Sequence, residues 1–205
     1  MDAARRHRGR LLVIAPMRLE GAAVRRGLPD AIVLRSGVGA DRARRAATAA
    51  ASVPADAVAV AGFCGAVEQG LRPGEVVVAS EVRGPEGTIR CSSEPLAAAL
   101  GALGVGRVRV GPLASVDHVV RGSRRGALAA EGAVAVDMES AWLAPAAAGR
   151  PFAVLRVVLD TPDREIDEAL ATLTGGLVAW RALRRAASAL AIWAGAQGVA
   201  SARAQ

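Results

Sequence analysis

The sequence predicts an α/β fold, a three-layer α/β/α arrangement around a central mixed, largely parallel twisted sheet. Short β-branched runs alternate with Ala-rich helical segments throughout, the pattern of a sheet covered by helices on both faces. Two of the most hydrophobic runs, 133–137 and 152–160, each deliver an acid at the C-terminal end, Asp137 with Glu139 just beyond it, and Asp160. Strand ends of that kind are where α/β proteins assemble ligand sites. A third acid, Glu20, closes the first strand-like segment in the same way. Three acids at three strand ends point to one shared pocket.

Each element follows from local pattern. Apolar and β-branched runs predict strands over 11–15, 31–35, 57–61, 75–80, 107–111, 133–137 and 152–160. Between them, Ala-rich stretches predict helices over 19–26, 40–52, 94–103, 124–131 and 140–148. A last helix is expected around 177–193, where Leu177, Trp180, Leu183 and Leu190 lean toward one stripe, as docking on a sheet requires. Residues 83–94 are rich in Gly, Pro and Ser and read as a loop, a candidate lid. With 205 residues the chain fits one domain, 1–205, able to bury its own core. Flexible tails are expected at 1–10 and 199–205.

Composition narrows the function classes. The chain is 52% hydrophobic, yet its apolar runs are broken by Arg, Asp, Gly and Pro, so no membrane span is expected. The basic start leads into a run only as long as a strand, unlike a signal sequence, and a cytoplasmic protein is expected. Cys64 and Cys91 lack metal-ligand spacing and are too few for a disulfide framework, which fits a reducing compartment; no bound metal and no cofactor are expected. The net charge of +7 would ordinarily raise nucleic-acid binding. Here every residue behind the formal positive charge is arginine, scattered among Asp and Glu, with no Tyr and few other aromatics for base stacking. No nucleic-acid partner is expected.

Several constellations bear on chemistry. The glycine-containing loops Arg35-Ser36-Gly37-Val38-Gly39 and Gly62-Phe63-Cys64-Gly65-Ala66 each follow a strand. Glycine there permits positive φ and close backbone approach to a ligand, although a tight turn without a ligand gives the same pattern. An acid at the end of a Val-rich strand is desolvated unless paired, which raises its pKa toward values useful for proton transfer. That reasoning applies to Glu20 and Asp160; the alternative is a capping or ion-pairing role. Ser115, Asp117 and His118 sit too close together in sequence to form a serine triad, and no nucleophile elbow surrounds Ser115. Met138, between two acids, is either plain packing or a surface for a sugar.

These segments, in this order, resemble the purine nucleoside phosphorylase and 5'-methylthioadenosine/S-adenosylhomocysteine nucleosidase superfamily. The resemblance runs from Leu11 to about Asp163. It rests on Ala15 to Glu20, Leu34 to Gly39, Gly62 to Ala66 leading into Leu71 to Val78, Ser115 to Ser123, Val136 to Glu139 and Leu155 to Asp160. Within it, the Pro-rich start, the Gly-Phe-Cys-Gly loop and the Arg-Pro-Gly-Glu-Val-Val-Val run look most like the hopanoid-associated branch, whose implied substrate is adenosylhopane.

The resemblance implies a nucleoside phosphorylase-like fold and a nucleosidase that hydrolyses the N-ribosyl bond of a 5'-substituted adenosine, releasing adenine. It implies that Glu20 activates the attacking water and Asp160 assists purine departure at N7. Met138 would floor the ribose and Glu139 accept its hydroxyls. Gly37, Phe63, Cys64, Gly65, Asp117 and Val119 complete the implied substrate-binding set, and a homodimer is expected. This chain departs from the family's pattern at several positions. Val119 stands where an aromatic residue stacks on adenine, and Leu159 where a Ser orients the acid. Val60 and Phe63 stand where phosphorylases use Arg and Ser to hold phosphate. Those losses favour water over phosphate, with Arg18 or Arg35 as substitutes. The alternatives are a phosphate-dependent phosphorylase and a catalytically inactive nucleoside- or nucleic-acid-binding scaffold.

Overall fold

The computed structural model describes residues 10–162 and 175–203. Residues 1–9 and 204–205 of the expected tails lie outside the described residues. Among the described residues, eight strands form one mixed sheet: β1 (Leu11–Ala15), β2 (Ile32–Arg35), β3 (Ala57–Ala66), β4 (Val76–Gly84), β5 (Gly87–Arg90), β6 (Val108–Ser115), β7 (Ala135–Asp137) and β8 (Phe152–Asp160). Seven α-helices of the described residues interleave with them: α1 (Arg18–Gly27), α2 (Ala40–Ala51), α3 (Ser93–Ala102), α4 (Ser123–Ala130), α5 (Ser140–Leu143), α6 (Gly175–Ala187) and α7 (Ala189–Arg203).

The expected mixed, largely parallel sheet is present, but its pairing closes on itself. β3 pairs with β8, β8 with β4, β4 with β6, β6 with β7, and β7 returns antiparallel to β3. β1 and β2 extend parallel from β3, and β5 hangs from β4 as the outer hairpin strand.

Side-chain alternation along fully buried strands builds two cores at once. Leu11 and Val13 of β1 join one cluster with residues from α1, α3, α6 and α7, while Leu12 and Ile14 join a second with α2, α5 and the turn 144–147. In β8, Ala153, Leu155 and Val157 face the first cluster, and Phe152, Val154 and Val158 face the second. By the same alternation Arg156 points to the second face, where an apolar side chain is expected. Its cross-strand partner is Gly62 of β3.

The structure corrects several expected elements. Residues 83–94 are not a loop: β4 runs on to Gly84 and turns into β5, with Val82 opposite Ile89 and Arg83 opposite Thr88. The β-branched pair Thr88-Ile89 outweighs the flanking Gly and Pro; the turn is Pro85-Glu86, and Gly87 at φ 122° lets the chain enter β5 from it. Helix 140–148 stops at Leu143 and continues as a 3-10 turn through Ala147, because Pro145 lacks the N–H a further helical turn needs. The C-terminal helix breaks at Ser188, whose hydroxyl donates to the Arg185 carbonyl (2.9 Å), and α7 then runs through Arg203, across the segment expected to fray. Leu183 and Leu190 are buried as expected, whereas Leu177 is about half exposed. Among the described residues no helix is long and apolar enough to cross a membrane.

Candidate active site

Glu20 is the third residue of α1 rather than the end of β1. Its Oε2 accepts the Met17 amide N–H (2.6 Å) that opens the helix, the usual task of an acid at this position. Its Oε1 reaches across to accept the Phe63 N–H (2.6 Å) in the C-terminal half of β3. The residue is almost completely buried. Burial raises its pKa to about 7, against the opposing pull of Arg156 and the two amide hydrogen bonds.

The turn after β7 is organised by Asp137. Its carboxylate accepts the Ser115 hydroxyl and the backbone N–H groups of Glu139 and Ser140 (3.3 Å each), and it forms an ion pair with Arg156. This clamp fixes the direction of Met138 and Glu139. Glu139 Oε1 then accepts the Gly39 N–H (3.0 Å), and its Oε2 lies 3.8 Å from Arg156. Burial raises the Glu139 pKa, with Arg156 lowering and Asp137 raising it further.

Arg156 is therefore the hub. Its fully buried guanidinium sits among Asp137, Glu139 and Glu20 and donates to the Ser140 hydroxyl (2.9 Å). Burial alone would lower its pKa, but these carboxylates together hold it above the ordinary arginine value. Gly62 makes this packing feasible: a Cβ there would overlap both the Glu20 carboxylate and the Arg156 guanidinium.

Asp160 reaches the site through an irregularity. The β3–β8 register pairs Cys64 with Val158 but Gly65 with Asp160, so β8 carries one extra residue, Leu159. Bulges of this kind re-aim side chains beside active sites. Asp160 forms an ion pair with Arg125 of α4, and a Cβ at Gly65 would lie 2.8 Å from its Oδ1.

Glu20, Met138, Glu139 and Asp160 line one cavity of about 320 Å³, together with Phe63, Cys64, Gly65 and Val119. That volume suits a small-molecule ligand. Burial pushes the Cys64 thiol pKa up, so this wall of the cavity is uncharged. Val119 is 57% exposed and stands at the rim beside His118. Two expected residues lie elsewhere. Gly37 lines an adjoining groove with Arg18, Arg35 and Arg42, and it is Gly39, two residues on, whose amide meets Glu139. Asp117 turns its 73%-exposed side chain to His118 (2.7 Å) instead of entering the cavity, since it follows the end of β6 by two residues and nothing packs over it. Among the described residues no cluster of His, Cys, Asp and Glu is arranged to hold a metal ion.

Arg156 and Arg125 were not among the expected site residues. A lone Arg inside the apolar run 152–159 is a usable signal, because a buried cation needs carboxylates around it. Arg125, one of an adjacent Arg pair on a short helix, carries no such mark.

A family model described as the phosphorylase superfamily matches residues 23–192. Solved structures share the fold at low identity. One is the 5'-methylthioadenosine/S-adenosylhomocysteine nucleosidase of Neisseria meningitidis in complex with methylthio-immucillin-A, at 20% identity and TM-score 0.74, covering 91% of this chain and 98% of that one. Another is the S-adenosylhomocysteine nucleosidase of Streptococcus pyogenes, at 22% identity and TM-score 0.71, covering 90% and 95%. A third is a Helicobacter pylori nucleosidase variant holding 5'-methylthioadenosine, at 18% identity and TM-score 0.70, covering 92% and 97%. No curated protein matches the chain. These likenesses are to methylthioadenosine/S-adenosylhomocysteine nucleosidases, which overturns the expected hopanoid-associated branch and its implied substrate.

Proposed function

Because this chain belongs to the phosphorylase superfamily, we propose that it hydrolyses the N-ribosyl bond of a 5'-substituted adenosine and releases adenine. One observation carries the reading: Glu20, Met138, Glu139 and Asp160, drawn from three separate parts of the chain, line a single cavity of nucleoside size.

Cleaving the C1'–N9 bond leaves positive charge on the sugar and negative charge on the base. Glu20, its carboxylate held by two amides, takes the proton of a water attacking C1'. Glu139, steered by Asp137 and the Gly39 amide, accepts the ribose hydroxyls, and Met138 forms the floor. The bonding pair leaves with N9, and Asp160, paired with Arg125, assists by relaying a proton from solvent to N7 as charge develops there, a division of labour that parallels glycoside hydrolysis. Arg156 keeps three neighbouring carboxylates compatible in one dry site without touching the substrate.

Two finer points belong to the same proposal. The enzyme works as a homodimer, because Leu19, Val38 and Val119 leave exposed apolar side chains, and the last two line the cavity mouth where a second copy would cover them. Phosphorolysis is a second reading, favoured by Arg18, Arg35 and Arg42 in the groove that shares Pro16, Met17 and Val38 with the cavity. Adenine release from 5'-methylthioadenosine, measured with and without phosphate, separates the two. Undiminished release in phosphate-free buffer is expected; strict dependence on phosphate would replace hydrolysis with phosphorolysis.

A further inference from the structure

Asp160 is held from an unexpected direction. The residue before it is Leu159, which packs against the first core and offers no hydrogen bond. Instead Arg125 reaches in from α4, and its guanidinium is fixed on three sides. Nε donates to the Val120 carbonyl (3.1 Å), Nη1 to the Ala66 carbonyl (2.7 Å) and Nη2 to Asp160 Oδ2. Those acceptors lie on the segment after β6, at the end of β3 and at the end of β8, the three stretches of chain that wall this side of the cavity. The arginine is buried and lines the same cavity as the acid.

We propose that Arg125 is the positioning residue for Asp160, setting the carboxyl's orientation toward the departing base in place of a neighbouring hydroxyl on β8. A planar guanidinium pinned by two backbone carbonyls has no rotational freedom left, so the carboxylate bonded to it is fixed in turn. Gly65 completes the arrangement, since any side chain there would occupy the space of the Arg125–Asp160 pair. The bulge at Leu159 brings Asp160 opposite Gly65 and within reach of α4. Pre-orientation of this kind acts on the chemical step rather than on binding, because the acid meets charge that develops only in the transition state.

The inference rests on the nucleosidase reading, and a double-mutant cycle tests it. Wild type, Arg125→Met, Asp160→Asn and the double variant are assayed for adenine release from 5'-methylthioadenosine, with phosphate present and absent, and Tm is recorded for each. Arg125→Met is expected to lower kcat by about 10- to 100-fold while changing KM by less than about threefold. In the Asp160→Asn background the same substitution should cost less than about twofold, because its effect passes through the acid. Arg125→Lys should recover part of kcat, since an ammonium reaches fewer of the three acceptors. If Arg125→Met fails to fold, Arg125→Lys carries the test: a folded Lys variant with wild-type kcat overturns the proposal. Independent, multiplicative losses in the cycle also overturn it, because they mean that Arg125 acts without Asp160. An active wild type with unaffected Arg125 variants and an impaired Asp160→Asn sinks the positioning role alone. A wild type that releases no adenine under any condition sinks the nucleosidase reading and this role with it.

Discussion

Glu20 does two jobs that pull its protonation in opposite directions. Its two amide hydrogen bonds favour the carboxylate, while its burial favours the neutral acid, and burial dominates to give a pKa of about 7. A base that must be ionised is inactive below that value, so kcat/KM should climb roughly tenfold per pH unit toward pH 7 and level off above it. The groups facing it are Arg156 and Glu139, and Arg156 keeps its charge throughout this range. Stability moves the other way. The folded carboxyl holds its proton more tightly than the unfolded one, so its contribution is present below about pH 4.5 and is lost as pH rises through about 7, at up to about 1.4 kcal/mol per pH unit. Urea midpoints of wild type and Glu20→Ala, compared from pH 4 to pH 8, should therefore converge as pH rises; parallel curves would contradict the raised pKa. Glu20, Glu139 and Asp160 were legible in the sequence because an acid beside an apolar run is conspicuous. Their partners were not: Arg156 lies 136 residues from Glu20 and Arg125 lies 35 from Asp160, distances at which no local spacing rule operates.

At the scale of elements, strand and helix positions could be read along most of the chain, and the misses have local causes. Pro145 and Ser188 each interrupt an otherwise convincing Ala-rich helix, through a missing donor and a competing hydroxyl. The 83–94 hairpin was hidden by turn residues at its own tip. Glycines were equally ambiguous, since the sequence cannot distinguish one that shapes a turn from one that makes room for a neighbour. Gly62 is of the second kind. Gly62→Ala should destabilise the protein by about 1–3 kcal/mol through overpacking and should lower turnover, because the displaced groups are Glu20 and Arg156. Gly101 in α3 gives the contrast: its Cβ would meet nothing within 4 Å. Gly101→Ala should stabilise by about 0.5–1 kcal/mol with turnover unchanged. Thermal melts and steady-state kinetics on both variants check the pair, and equal behaviour would mean that Gly62 is not the space in which the site is packed.

For the whole molecule, the alternation of strands and helices indicated a covered sheet but not its closure, which depends on β8 inserting between β3 and β4. That insertion links fold to site. β8 has a strand on each side, carries Arg156 at mid-strand and ends on Asp160, so the cavity's charge hub and its leaving-group acid share one strand that is paired on both sides. β5 is the opposite case, an exposed hairpin strand that among the described residues pairs with β4 alone. Local opening should follow this difference, since strands paired on both sides and buried on both faces are released only with global unfolding. In native-state hydrogen exchange, the amides of residues 154–158 should exchange only by global unfolding, while those of 88–90 should open at least about 1,000-fold more often. Exchange of the two strands at similar rates would mean that the ring opens beside the site, and that Arg156 and Asp160 are not held by the sheet but by the ion pairs alone.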